Sequence, residues 1–550
     1  MVGLAPLLPA EEPLGSLKAE AAPSKKHLLK QILIATTPEA ALKLSPVANS
    51  RLVVFSGVLS ALNASELEAR LDGAKDRPIE PQMLSAIAQV VEIYVRQHGF
   101  PIIEGVTIPT PQNIADGTLR LSVGLGKFRE IKFLGNHWFS ESLLRGSLHV
   151  AKGEIIQFAD LDQAIGWTNN NNPFRRIQVR IDPVPNSGQA DLIIGVQERV
   201  PLRLIATVDD AGNDVLGRNH YSAALTYANL WGLDHQVTYQ YITTNHGQYF
   251  QGHLLSYRAP LPWRHYLQFN ATYMRARPDL LGGFFNQDAE NISGELRYTI
   301  PLRGGDNPAE WYAALNFKES NNDLQFGGTS VQNSKTDIFE LTTGASKVLR
   351  DKRGAWAFGA TANFSPGHIN SRNSDTAFVA ARAGTKSAYS YGGVYFQRLL
   401  TLDRGWELNS RANLQVSDRN LLSSEALTVG GSSTVRGFNE NVFAADEGFV
   451  LNNDLLLPAL RQPVHVLGKD LVPLETRFLA FYDAANVRNK HTFTYDPAFK
   501  PLASTGVGVR INWASNFSAS FDYGWQITHL PVAQAEDIHG RGHLKVTLAY

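Results

Sequence analysis

After about residue 200 the helical period vanishes, and segment after segment alternates between two faces. Between His220 and Leu230, the residues Tyr221, Ala223, Leu225 and Tyr227 fall on one face, and Ser222, Ala224, Thr226 and Ala228 on the other. Val237, Tyr239 and Tyr241 oppose Gln236, Thr238 and Gln240. Leu267, Phe269, Ala271 and Tyr273 oppose Gln268, Asn270 and Thr272. The last residues repeat the pattern, with Leu544, Val546, Leu548 and Tyr550 against His543, Lys545, Thr547 and Ala549. A period of two is that of a β-strand. Two architectures accept such strands in series. A sandwich hides the apolar face inside, whereas a membrane barrel turns it to lipid and fills its lumen with the polar face. Alternation alone leaves both open. At about 22 residues per strand and connection, residues 200–550 supply about 16 strands. A chain that stops inside a strand, at an aromatic residue, suits a barrel whose last strand closes against its first.

Composition narrows the field. No run of 18 apolar residues exists, so helices do not carry the chain across a membrane. Lys plus Arg and Asp plus Glu both number 51, a balance that argues against a nucleic-acid partner. The absence of cysteine excludes disulfide scaffolds, thiolate zinc sites and cysteine nucleophiles. The chain lacks H-E-x-x-H, G-x-S-x-G, P-loop and GxGxxG patterns. His235, His246, His253 and His265 are scattered through the alternating region, in the manner of rim or lumen residues. Neither enzymatic activity nor a metal or cofactor is expected.

Before residue 200 helices and strands mix. Arg51 to Phe55 is strand-like, and Ser65 to Leu71 forms a short helix with Ser65 as cap and Glu68 three residues later. Pro81 to Gln97 carries a helical apolar face that Gly99 ends. Strands follow at Ile102–Val106 and Thr118–Leu125. The same β-α-α-β-β order recurs over Phe128–Leu134, Ser140–Leu148, Phe158–Thr168, Ile177–Ile181 and Asp191–Val196. This reads as an internal repeat of one unit of about 75 residues. The expected division is 1–49 leader or linker with a plug segment, 50–126 first module, 127–199 second module and 200–550 barrel. Leu17 to Ala22 and Lys25 to Ile34 are short helical stretches, too short to make a stable plug helix. Residues 2–10 read either as the end of a truncated signal peptide or as a plain leader.

The most specific stretch is Gly430-Gly-Ser-Ser-Thr-Val-Arg-Gly-Phe438, ahead of Asp446-Glu-Gly448 and a strand over Phe449–Leu457. With Asn172-Pro-Phe-Arg175, Asp209–Asn213, Gly217-Arg218, Asn229-Leu230 and Pro109–Leu121, it resembles the two-partner secretion transporters (TpsB class, the haemolysin-activator family) of the outer-membrane translocase superfamily. The resemblance spans roughly residues 50–550. It implies two polypeptide-transport-associated (POTRA) modules before a 16-stranded antiparallel transmembrane barrel. It also implies export of a large secreted partner, a TpsA-type exoprotein, through a monomeric barrel held in outer-membrane lipid, with the POTRA modules in the periplasm.

The same resemblance assigns candidate residues. The segment 430–448 is expected to fold back into the pore. There Arg436, flanked by Gly430, Gly431, Val435, Gly437 and Phe438, meets the acidic residue of Phe481-Tyr482-Asp483 on the inner wall. A guanidinium can grip a carboxylate through two parallel hydrogen bonds, which a lysine cannot. Asn172, Pro173, Phe174 and Arg175 either stop a helix or orient a strand edge toward barrel or client. Two other classes stay in view: a barrel-assembly factor of the same superfamily, and a passive porin or surface binding protein.

Overall fold

The structure, a computed structural model, describes residues 27–47, 51–185, 187–213, 215–280, 285–302, 307–326, 329–466, 469–492, 499–528 and 539–550. The chain divides at Val200/Pro201 into two compact units. Among the described residues no helix is long and apolar enough to cross a membrane.

The first unit holds two small α+β modules. In the second module, strand Lys127–Leu134 runs parallel to Gln189–Glu198, which pairs antiparallel with Arg175–Val184. Helices Glu141–Leu148 and Phe158–Asn171 accompany this sheet. Ser140 caps the first of them by accepting from the Leu143 amide at 3.2 Å. In the first module Gln31–Ala35 runs parallel to Thr118–Leu125, which pairs antiparallel with Ile103–Thr107. Gln31–Ala35 is therefore the counterpart of Lys127–Leu134, and Val53–Phe55 is an extra strand beside it.

This corrects the expected boundary. The first module begins before residue 50, and the stretch taken as helical to Ile34 ends in a strand. Gln31–Ala35 lies between two parallel neighbours and is buried along its whole length. A strand covered on both faces has no alternation, and a short apolar run cannot be told from a helix turn. Its Ile32 and Ile34 join Val53, Val91, Tyr94 and Leu121 in the module core. The helix expected from Ser65 starts one residue earlier and is capped by Asn63, which accepts from the Ser65 amide. Glu68 makes no capping box; it accepts from the Val53 amide instead. The leader, residues 1–26, and its short helical stretch Leu17–Ala22 lie outside the described residues.

The second unit is a closed antiparallel barrel of 16 spanning strands, two of them prolonged by short extra strands. It opens with Leu202–Asp209 and ends with Gly540–Ala549, which pair from Ile205↔Ala549 to Asp209↔Lys545. The Leu204 and Tyr550 backbones exchange two further hydrogen bonds. Closure removes the sheet edge, a necessity in lipid where unpaired backbone has no water to bind. Asp209–Asn213 thus ends the first barrel strand rather than opening it.

Direction follows from exposure. Leu225, Tyr239, Leu255, Phe269, Leu296, Leu315, Leu341 and Phe364 are all exposed on the outer wall, and their sequence neighbours point into the lumen. Trp231, Trp263, Trp311 and Trp356 lie at or next to the short-turn end. They supply the aromatic girdle typical of a membrane interface. The opposite end carries the long connections 366–388 and 418–446, and the second turns into the barrel.

Candidate functional site

The connection after strand Glu407–Ser417 runs inward as a compact loop. Short strands Leu427–Val429 and Phe443–Ala445 pair with each other and give it a stem. Val429, Val435, Phe438 and Phe443 pack on Val450, Ala485, Val487 and Leu502 of the barrel wall. An apolar cluster inside a polar lumen is what glues the loop to one arc of the wall. At the loop tip Gly430 and Gly431 take positive φ, +104° and +99°. Gly437, at φ +89°, faces Gly524 so closely that a Cβ would sit 2.7 Å from the Gly524 carbonyl oxygen. Two glycines back to back let loop and wall meet at backbone distance.

This approach delivers Arg436, which is 3% exposed. Its Nε donates to Asp483 Oδ2 at 2.7 Å and its Nη2 to Asp483 Oδ1 at 2.8 Å. The Arg436 backbone amide adds a third bond to Asp483 Oδ2 at 3.1 Å. Nη2 also donates to Asp454 Oδ1 at 2.6 Å, and Nη1 stands 3.6 Å from Asp522 Oδ2. The guanidinium carbon lies 3.6 Å over the Phe481 ring. Three acids on three strands thus surround one cation. Arg510 holds Asp522 with two bonds of 2.8 Å, and Arg411 approaches Asp454 at 3.5 Å. Asn452 donates to Asp483 Oδ1 at 2.9 Å and also to the Thr434 carbonyl. The Gly437 amide donates to His543 Nε2 at 3.1 Å, and Gln526 donates to the Gly437 carbonyl at 2.8 Å. Removing these charges from bulk water is tolerable only because each is paired and hydrogen-bonded.

The structure brings together Arg436, Asp483, Phe481, Gly430, Gly431, Val435, Gly437 and Phe438. It sends Tyr482 to the other side of the wall, exposed on the outer face. Asp454, Asp522, Asn452, Gln526, Gly524 and His543 went unrecognised in the sequence. Alternation marks several of them as inward-facing, but no local signal says which strands stand beside which loop.

A second set of contacts ties down the rim. Lys318 grips Glu425 at 2.6 and 2.7 Å and lies 3.5 Å from Glu340. Tyr391 donates to Glu425 and Tyr389 to Glu340, each at 2.7 Å. Arg382, just past helix Asp375–Ala381, donates to Asp446 at 2.7 Å. Asp446 also accepts from the Leu421 and Lys490 amides.

In the second module, Asn172, Phe174 and Arg175 are buried, and Pro173 is exposed. Asn172 is extended ahead of Pro173 and accepts from the Phe174 amide at 3.0 Å, which ends the helix. Arg175 is buried, donates to the Thr168 carbonyl at 2.7 Å and stacks over Phe139. Arg199 covers Phe174 and donates to the Pro173 carbonyl. The tetrad links helix end to strand start, and among the described residues strand Arg175–Val184 has a ladder partner on one side only.

The comparisons with known proteins bear on the family and the fold. The profile of the family described as "Haemolysin secretion/activation protein ShlB/FhaC/HecB" matches residues 188–511. The outer membrane transporter CdiB of Dickeya dadantii is 23% identical over 433 residues, 76% of this chain and 72% of that protein. The heme/hemopexin transporter protein HuxB of Haemophilus influenzae is 23% identical over 402 residues, 70% of this chain and 68% of that protein. Among solved structures, CdiB from Escherichia coli superposes with a TM-score of 0.70 at 16% identity, covering 97% of this chain and 93% of that one. BamA from Haemophilus ducreyi gives 0.54 at 15% identity over 88% and 98%.

Proposed function

The chain belongs to the ShlB/FhaC/HecB family of haemolysin secretion/activation proteins, and from that premise we propose that its loop 427–445 is a latch, held by Arg436, that must move for a client to pass. The family makes the protein a two-partner secretion transporter of the bacterial outer membrane that exports a secreted exoprotein, with its POTRA modules in the periplasm. The docked loop narrows the lumen at rest, and the guanidinium shared by three acids supports this reading best. A multi-point charged anchor holds one register yet can exchange partners as the loop shifts. The POTRA modules receive the unfolded client. The one-sided strand Arg175–Val184 offers backbone donors and acceptors to which an extended segment adds as a further strand. The barrel works as a monomer in outer-membrane lipid, without enzymatic activity, cofactor or nucleic acid.

The test is secretion of the client in cells with equal surface amounts of transporter. A cysteine pair that locks the loop stem to the wall is expected to stop secretion, and reduction to restore it. Undiminished secretion with the loop locked would remove the latch from the mechanism.

A further inference from the structure

The loop covers only part of the lumen wall. It packs on the arc formed by strands Glu447–Leu456, Lys469–Arg488, Lys500–Trp513, Phe517–Gln526 and Gly540–Ala549, the arc that also holds Asp454, Asp483, Asp522, Arg510 and His543. Another arc, from His220 to Ser365, has a different chemistry at mid-height. Several exposed outer residues there have an uncharged polar neighbour facing inward, although Leu296 is flanked by Glu295 and Arg297. Ser256 follows Leu255, Asn270 follows Phe269, Asn316 follows Leu315, Thr342 follows Leu341 and Asn363 precedes Phe364.

These side chains form two hydrogen-bonded runs across adjacent strands. Ser256 donates to Asn270 Oδ1 at 2.8 Å, and Asn270 donates to Glu295 at 2.9 Å. Asn316 donates to Thr342 Oγ1 at 2.8 Å, which donates to Asn363 Oδ1 at 2.7 Å. All of these side chains are half-buried. The charges near this band are paired: Arg297 with Glu295 at 2.9 Å, stacked over Tyr312, and Lys318, next to the band, with Glu425 of the connection 418–446 at 2.6 Å and with Glu340 at 3.5 Å.

We infer that this neutral amide and hydroxyl band, on the wall away from the latch, is the surface along which the exported polypeptide slides as an extended chain. The inference rests on the export function proposed above and adds the route. An unfolded chain presents a peptide N–H and C=O at every residue, and these need partners wherever water is scarce. Amides and hydroxyls supply both donor and acceptor, and their mutual bonds can be exchanged for bonds to the passing backbone at little net free-energy change. Fixed charges would instead hold particular client residues and slow their passage. The charged arc is also engaged by the loop through Arg436 and its apolar cluster.

The route can be read by site-specific photocrosslinking in the full-length transporter. A photoreactive residue is placed at Asn316 or Thr342 on the neutral wall, and at Arg411 or Lys545 for comparison. The client is fused to a folded domain that stalls it in the barrel. Several-fold more client adduct from the neutral wall is expected. Equal adducts from both walls, or a majority from Arg411 and Lys545, would overturn the route. Gln240, inward-facing on the same arc, serves as a second probe if a replacement at Asn316 or Thr342 prevents folding. Secretion of the unfused client is measured in the same strains. Secretion that does not depend on the transporter would refute the export reading, whereas dependent secretion without neutral-wall adducts refutes the route alone.

Discussion

Arg436 neutralises more than one carboxylate, so its removal and that of Asp483 are not equivalent. Losing Arg436 leaves Asp454 and Asp483 without their principal cation, while losing Asp483 leaves the guanidinium with Asp454 and Asp522. Breaking a buried pair from one side costs about 3–5 kcal/mol. Arg436→Ala is therefore expected to undock the loop and impair secretion more than Asp483→Asn. The double change is expected to be no worse than Arg436→Ala, because both act on one network. Secretion titres at equal surface levels check the order. Arg436→Lys retains charge but loses the fork and part of the stacking on Phe481, so an intermediate defect is expected. Gly437→Ala tests the backbone approach. Its positive φ alone costs roughly 1–2 kcal/mol, and the added Cβ meets the Gly524 carbonyl. Greater protease sensitivity of loop 427–445 in this variant is the expected readout.

Single elements carry the stability of the second POTRA module. Its helix Glu141–Leu148 is short and depends on its cap, so Ser140→Ala is expected to lower module stability by about 1 kcal/mol, measured by denaturant unfolding. Strands Lys127–Leu134 and Gln189–Glu198 are joined by Arg129, which grips Asp191 at 2.8 and 2.5 Å. That hydrogen-bonded guanidinium holds the Asp191 carboxyl below its ordinary value of 3.8. A carboxyl with a depressed folded value adds stability above its unfolded value and loses it as pH falls through the folded one. Unfolding midpoints are expected to drop below about pH 4 in the parent and to drop less in Asp191→Asn. Equal acid sensitivity in both would show that the pair does not contribute.

For the whole molecule, the proposed latch is expected to set the resting conductance. Deleting 430–445 removes the anchor and much of the apolar cluster while leaving the ladder of the wall strands intact. Planar-bilayer recording is expected to show larger, steadier openings than the parent barrel. An unchanged, steady conductance would mean that the loop does not limit the pore.

Strict alternation in Tyr221–Ala228, and again in Leu544–Tyr550, marked strands with one apolar and one polar face, while the strand count and the family motifs favoured a membrane barrel over a sandwich. Their number followed from length. Glycines beside Arg436 in a motif of known type indicated an inward loop and one partner, Asp483. Arg51–Phe55 reads as the module's first strand because Gln31–Ala35, buried on both faces, has no period to betray it. Asp454, Asp522, Gly524 and His543 carry no local mark of their role. They meet Arg436 and Gly437 only because the barrel closes, which sets strands far apart in sequence around a single loop. Period and motif are local properties, legible along the chain. Which carboxylates share one guanidinium, and which arc of the wall stays uncovered, depends on strand order and register around a closed sheet, and that is decided in three dimensions.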